Sequence, residues 1–230
     1  MEYGCFACMR SSLIVLPICR GSYIRFCWFI LAMPLEMKLI HWCWYEKKWY
    51  CYIWLSPCLW LLFIMLNMIP KIIHYCWFGG KPLPDEVKKY METWKKYCPY
   101  YEITEWNESN FDVNQNQYCR EAYEAGKWAF VSDYARLKIL YDYGGIYMDT
   151  DMEVCKPLDR LASYAFWSGF ESESQIPTGI MASCRDNDLL EYLLSYYDDK
   201  HFKNEHGIYD TTTNVTTITR ICLLYTSDAA

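Results

Sequence analysis

This chain has no glycine-rich phosphate fingerprint, no basic stripe interleaved with aromatics, and no His-Glu-x-x-His or doubled cysteine-pair metal signature. Gly79-Gly80 has neither the spacing nor the downstream context of a dinucleotide loop, which excludes a standard dinucleotide site. The formal net charge is −6, so nothing draws the chain to phosphate backbones, and no nucleic-acid partner is expected. Histidine is scarce. His201 and His206 stand five apart without a paired cysteine and read as loop or surface residues with no ligand role, while His74 reads as a packing and hydrogen-bonding residue. Cys5 and Cys8 have zinc-like spacing, but no second pair follows at a useful distance. The thirteen cysteines are odd in number and irregularly placed, which argues against a disulfide framework. The six after Met68 read as free thiols in a reducing compartment, mostly core fillers.

Aspartate, asparagine and glycine are nearly missing before Met68, a stretch that holds six of the eleven tryptophans and seven of the thirteen cysteines. No helix or strand period is assignable there. Trp49 to Leu66 is uncharged over 18 residues and follows Lys47 and Lys48, which reaches the lower length for a membrane span with a cytoplasmic amino end. Pro57 interrupts that run, and nothing upstream resembles an orderly targeting region. Residues 1–67 are therefore read as poorly structured upstream sequence with Met68 as the true start, and a membrane anchor over 49–66 is the alternative. The remainder divides into one ordered domain over 68–220 and a tail over 221–230, read as non-native or truncated.

From Ile69 the pattern becomes periodic. Lys71 to Tyr75 reads as a short buried strand closed by Gly79-Gly80. Pro84-Asp85-Glu86 opens a helix whose Val87, Tyr90, Met91 and Trp94 share one face. Tyr101 to Trp106 alternates as a second strand, and this strand-helix-strand order predicts parallel pairing in an α/β unit. A helix over Lys127 to Tyr143 places Asp133 and Arg136 on one face and ends at Gly144-Gly145. Ile146 to Asp149 follows as a strand ending in acid. Asp188 to Tyr197 reads as a helix with Leu189, Tyr192, Leu193 and Tyr196 on one face.

Asp149-Thr150-Asp151 carries the chemistry. Two carboxylates one residue apart at a strand end can approach one hard cation, Mn²⁺ or Mg²⁺, which also takes diphosphate oxygens and stabilises charge on a departing nucleotide. The whole run from Trp128 to Asp151, with Asp133, Arg136, Gly144-Gly145 and the D-x-D pair, closely resembles the glycosyltransferases that carry the D-x-D sugar-binding motif. That family includes fungal mannosyltransferases of outer-chain initiation and bacterial capsular polysaccharide enzymes. The resemblance extends from about Met68 to Ser183 and includes the opening strand Pro70 to Trp77.

The resemblance implies a nucleotide-diphospho-sugar transferase (GT-A-like) fold, a single mainly parallel or mixed sheet flanked by helices, truncated at its carboxyl end. It implies that Asp149 and Asp151 handle the metal and the donor diphosphate, with Asp151 the direct metal ligand. Asp133 would bond donor sugar or ribose hydroxyls, and Arg136 would assist through a hydroxyl or phosphate oxygen. Trp77 would lie near the nucleotide base, and Tyr147 would approach the donor or sit buried. Pro177 to Ala182 resembles a later family segment, but Ser183 to Asn187 replaces the histidine-proline that usually follows. Thr211 to Thr219 lies where relatives place a loop closing the donor site, and Asn214-Val215-Thr216 fits a glycosylation sequon.

The implied activity is transfer of a hexose from a UDP- or GDP-linked donor to a glycan or lipid-linked saccharide acceptor in polysaccharide or glycoconjugate synthesis, with retention. The alternatives are a nucleotide-sugar hydrolase, a protein-modifying transferase, or a noncatalytic sugar-nucleotide-binding fragment. The expected location is the cytoplasm, with peripheral association at the inner face of the membrane.

Overall fold

The computed structural model describes residues 14–16, 42–45, 48–51, 68–169, 175–212 and 214–228. The chain forms two compact units, one of residues 1–17 with 68–230 and one of residues 18–67. The strands are β1 (Ile14–Leu16), β2 (Trp42–Tyr45), β3 (Lys48–Cys51), β4 (Ile72–Cys76), β5 (Glu102–Trp106), β6 (Gly145–Met148), β7 (Phe166–Ser168) and β8 (Ile180–Ser183). In the smaller unit, β2 and β3 form an antiparallel pair.

The larger unit is built on a six-stranded mixed sheet in the order β1-β7-β8-β6-β4-β5. Strands β4, β5 and β6 are parallel, and β6, β8, β7 and β1 pair antiparallel. This is the expected class, a mixed sheet flanked by helices. The helices are α1 (Asp85–Tyr97), α2 (Gln117–Glu124), α3 (Trp128–Tyr143), α4 (Asp188–Ser195) and α5 (Asn214–Asp228).

Alternation along β4 and β6 sorts the two faces. Ile73 and Tyr75 of β4 and Ile146 and Met148 of β6 join the fully buried Trp94 of α1 in one cluster. Trp94 also donates Nε1 to Met152 O at 2.7 Å, which ties α1 to the chain just past β6. The opposite face presents His74 and Tyr147 to α3. Seven residues of α3 are buried, Arg136 among them, because this helix packs against the sheet, α2 and α4. His74 is held neutral, since burial lowers its pKa to about 4, and its ring nitrogens meet Gly144 O and Trp106 Nε1 at 2.8 and 3.0 Å. It is a packing and hydrogen-bonding residue, as expected.

Gly144 caps α3 with φ 65°, and Gly145 begins β6 with φ 104°. A β-carbon on Gly145 would lie 2.7 Å from Ile72 O, so glycine permits both the left-handed turn and the close approach to β4.

Several expectations change. The membrane-spanning anchor is corrected: Trp49 to Cys51, the start of the candidate span, lies in the paired strand β3, where the backbone is extended. Among the described residues no helix is long and apolar enough to cross a membrane, and residues 52–66 fall outside them. Helix α2 has no counterpart in the periodicity reading; it is set by Asn116, whose side chain caps Cys119 N at 3.1 Å. In α4 the buried face is Leu189, Leu190 and Leu193, whereas Tyr192 is exposed; Tyr197, just past the helix, takes the core position. The stretch from Asn214 onward is helical rather than a loop. Cys98, Cys119 and Cys184 are buried, as core fillers would be, whereas Cys76 is half-buried and Cys155 exposed, and none of these five forms a disulfide.

Candidate functional site

The connection after β4 runs through α1 to β5 on one side of the sheet, while the chain leaving β6 turns to β7 and β8 on the other. The carboxyl ends of the adjacent parallel strands β4 and β6 therefore open onto a topological switch point, the crevice where open α/β sheets place ligands. Strand β6 delivers Asp149 and Asp151 to that crevice, and β4 delivers Trp77 to Gly80.

Arg136 organises this end. Its Nη2 is 3.1 Å from Asp133 Oδ1, and its Nη1 is 3.4 Å from Asp149 Oδ2. Nη1 also donates to Thr178 O at 2.8 Å and Thr178 Oγ1 at 3.1 Å, Nε donates to Ser132 O at 3.0 Å, and Nη2 reaches Ser132 Oγ at 3.4 Å. Every N–H of the guanidinium is thereby matched. Arg136 is only 5% exposed, and burial alone would weaken its charge, but the Asp149 and Asp133 carboxylates outweigh that and hold it protonated. The ring of Tyr147 lies under the guanidinium, 4.8 Å from Cζ to centroid. Asp133 and Arg136 thus do pair three residues apart on one helix, but in a buried setting and not on a solvated face.

Asp149 is fixed from three sides. Its N–H donates to Gly179 O at 2.7 Å, its Oδ1 accepts from Tyr147 OH at 2.8 Å, and its Oδ2 faces Arg136. Tyr147 is buried, its hydroxyl pKa pushed well up by burial, so the phenol stays a donor to Asp149. Asp151 is exposed in the turn that follows, its carboxyl pKa raised by partial burial and then by the Asp149 carboxylate. Asp133 is pushed up to about 6, chiefly by burial, with Arg136 opposing and Asp149 adding to the rise.

Asp149 and Asp151 are hard oxygen donors of the kind that Mn²⁺ or Mg²⁺ takes. No group of three or more His, Cys, Asp or Glu side chains that could hold a metal occurs among the described residues. Magnesium-type sites commonly use one or two carboxylates and complete the shell with water and substrate phosphate. Burial is the main cause of the Asp151 rise, and the Asp149 carboxylate adds to it; a cation between the two would relieve that added part.

Two residues outside the expected set join the cluster. Thr178 accepts from Arg136 and donates Oγ1 to Asn214 Oδ1 at 3.0 Å. Asn214 is 6% exposed, and its Nδ2 has no hydrogen-bond partner. This asparagine, noted in the sequence for its sequon, is an interior residue at the start of α5. The segment before it is tied down, since Lys200 Nζ pairs with Asp210 Oδ2 at 3.0 Å and Glu121 of α2 accepts from Phe202 N and Lys203 N at 2.8 and 3.0 Å. His201, exposed, meets the same carboxylate, and His206 is also exposed, as surface histidines should be. Trp77 is half-buried; its ring packs against the core cluster, and Nε1 donates to Lys81 O at 2.6 Å. The resemblance of Pro177 to Ala182 is the sequence signal for Thr178 and Gly179, and for Asn214 the signal is the place of Thr211 to Thr219, where relatives have a loop closing the donor site.

Among solved structures, the chain resembles one described as PaToxG glycosyltransferase, with a TM-score of 0.52 and 17% identity over 72% of this chain and 75% of that one. At that identity the likeness concerns the fold. No curated protein matches the sequence. Residues 84–167, which contain Asp133, Arg136, Tyr147, Asp149 and Asp151, match the family described as the glycosyltransferase sugar-binding region containing DXD motif.

Proposed function

We propose that this chain is a glycosyltransferase that moves a hexose from a UDP- or GDP-linked donor to a glycan or lipid-linked saccharide acceptor, in polysaccharide or glycoconjugate synthesis. The observation that carries the reading is the buried guanidinium of Arg136 linking Asp133 to Asp149 at the strand-end crevice, in the segment that matches the D-x-D family.

Asp151 and Asp149 would hold the divalent cation, which when bound supplies Lewis-acid neutralisation of the charge on the donor diphosphate. Asp133, ionised near neutral pH, accepts from paired hydroxyls of the donor sugar or ribose. Arg136 has no N–H left over and acts as a positioning residue, fixing the angle between those two carboxylates. Tyr147 locks one oxygen of Asp149 from below.

Transfer proceeds with retention. The bond from the anomeric carbon to the phosphate oxygen breaks, the acceptor oxygen bonds to the same face of that carbon, and the acceptor proton passes to the leaving phosphate. NMR of the product made from an α-linked donor checks this: an α linkage is expected and a β linkage contradicts it. Release of free sugar in the presence of every acceptor offered would favour a hydrolase instead.

A further inference from the structure

Lys200 stands just past α4, and its side chain is only 13% exposed. Its Nζ lies 4.3, 5.2 and 5.8 Å from the ring centroids of Tyr196, Tyr118 and Tyr197, donates to Tyr196 OH at 2.5 Å and pairs with Asp210 Oδ2 at 3.0 Å. Lysine rarely withdraws this far from water unless it is paired, and here the pairing orders a side chain that is otherwise among the freest. What the ammonium holds is a hairpin. Asp210 N donates to Phe202 O at 2.8 Å, Asn204 N donates to Ile208 O at 3.0 Å, and Lys203 and Tyr209 form an antiparallel bridge. The ion pair closes this hairpin at its base, and Phe202, fully buried among Tyr118, Phe130 and Tyr209, pins it to α2 and α3.

Asp210 faces two ways. Its Oδ2 takes Lys200, while its Oδ1 accepts the N–H of Thr212 at 2.9 Å, two residues before Asn214. Asn214 in turn accepts from Thr178, which accepts from Arg136. A line of polar contacts therefore runs from the caged ammonium to the guanidinium between Asp133 and Asp149, broken only by the two peptide steps from Thr212 to Asn214. The charge of Lys200 offers a second route to the same place, since it joins Arg136 in opposing the rise that burial imposes on Asp133. That field is weak, because Asp210 compensates the ammonium at contact distance and the pair presents little net charge. The two routes also differ in sign at Asp210: a field effect predicts that neutralising Asp210 favours the ionised Asp133, whereas a mechanical tie predicts a loss.

We propose that Lys200 is a positioning residue for donor binding: through Asp210 it fixes the base of the hairpin and the approach to α5, and so holds Asn214 against Thr178 at the crevice. The inference rests on the nucleotide-sugar reading of that crevice.

The test is the donor KM and kcat of the full chain for nucleotide release, measured with Mn²⁺ on UDP- and GDP-hexoses, with urea unfolding of each variant alongside. Lys200→Met and Asp210→Asn are each expected to raise KM about fivefold with kcat within about twofold. Lys200→Arg keeps a cation that stacks on the tyrosines and reaches Asp210, and it should recover most of the loss. Added to Asn214→Ala, Lys200→Met should raise KM by less than about twofold further, because the tie is already cut. An unchanged or lower KM in Asp210→Asn, a Lys200→Met effect equally large with and without Asn214, a loss that falls on kcat, or loss of folding in both single variants would overturn the assignment. Failure of the folded wild-type chain to bind any of these donors would overturn the donor reading itself.

Discussion

Gly179 passes so close to Asp149 that a β-carbon on it would lie 2.9 Å from the Asp149 Oδ2 atom, while its carbonyl accepts the Asp149 N–H at 2.7 Å. The backbone of the strand β8 approach is thus the wall against which the first carboxylate of the pair is set. Gly179→Ala meets a movable carboxylate and not fixed backbone, so the fold should tolerate it, with a stability change under about 1 kcal/mol in urea unfolding. The displaced Asp149 should lower metal-dependent nucleotide release at least tenfold. Wild-type activity in this variant would show that the orientation of Asp149 is unimportant.

Arg136 neutralises two carboxylates from a buried position. Arg136→Ala should cost about 3 kcal/mol in chemical denaturation, because the buried Asp133 is left without its partner. Arg136→Lys keeps the charge but reaches fewer of the Ser132, Thr178, Asp133 and Asp149 oxygens, so it should regain stability more than activity. Equal recovery of both would contradict a positioning role.

Asp133 titrates at about 6 in the folded chain against an ordinary 3.8. The folded state therefore holds this proton more tightly, and on this account stability declines as pH rises between those two values and is level above them. Donor affinity has the opposite dependence, since the ionised carboxylate is the hydroxyl acceptor. The donor KM should rise as pH falls below about 6, with Asp133→Asn weak at every pH and free of that limb. A limb near 4 in the wild type would show an unperturbed carboxylate.

The parallel β4-α1-β5 unit was legible because each element carries its own signal: an apolar run, a Pro-Asp-Glu start, and an alternating strand. Helix α3 and β6 were legible for the same reason, with Gly144-Gly145 as the punctuation. Strand β7 was not, since Phe166–Ser168 is three buried residues whose identity as a strand comes from pairing with β8. Tyr197 stands four residues beyond Leu193 and eight beyond Leu189, on the buried stripe, where it packs against Tyr118 and Tyr134, whereas Tyr192 lies off that stripe. The D-x-D pair and its Asp133-Arg136 support were visible as local motifs. Thr178 and Asn214 fall in segments that the resemblance marks, but their bonds to Arg136 and to each other were hidden because these span 42 and 36 residues.

Asn214 provides a check on that hidden half of the site. Removing its side chain deprives Thr178 of an acceptor but also removes an unpaired buried amide hydrogen, two effects that offset in the empty protein. Asn214→Ala should change stability by less than about 1 kcal/mol and raise the donor KM about tenfold, with a smaller effect on kcat. A large loss of stability with an unchanged KM would assign Asn214 to packing alone.

The central claim is that Asp149 and Asp151 form the metal-assisted diphosphate site of a nucleotide-sugar transferase. The full chain, incubated with a panel of UDP- and GDP-sugars, should release nucleotide from one donor with Mn²⁺ or Mg²⁺, lose that release in chelator, and lose it in Asp149→Asn/Asp151→Asn while remaining folded. Release unaffected by the double substitution, or no donor binding by the folded wild-type chain, would contradict it.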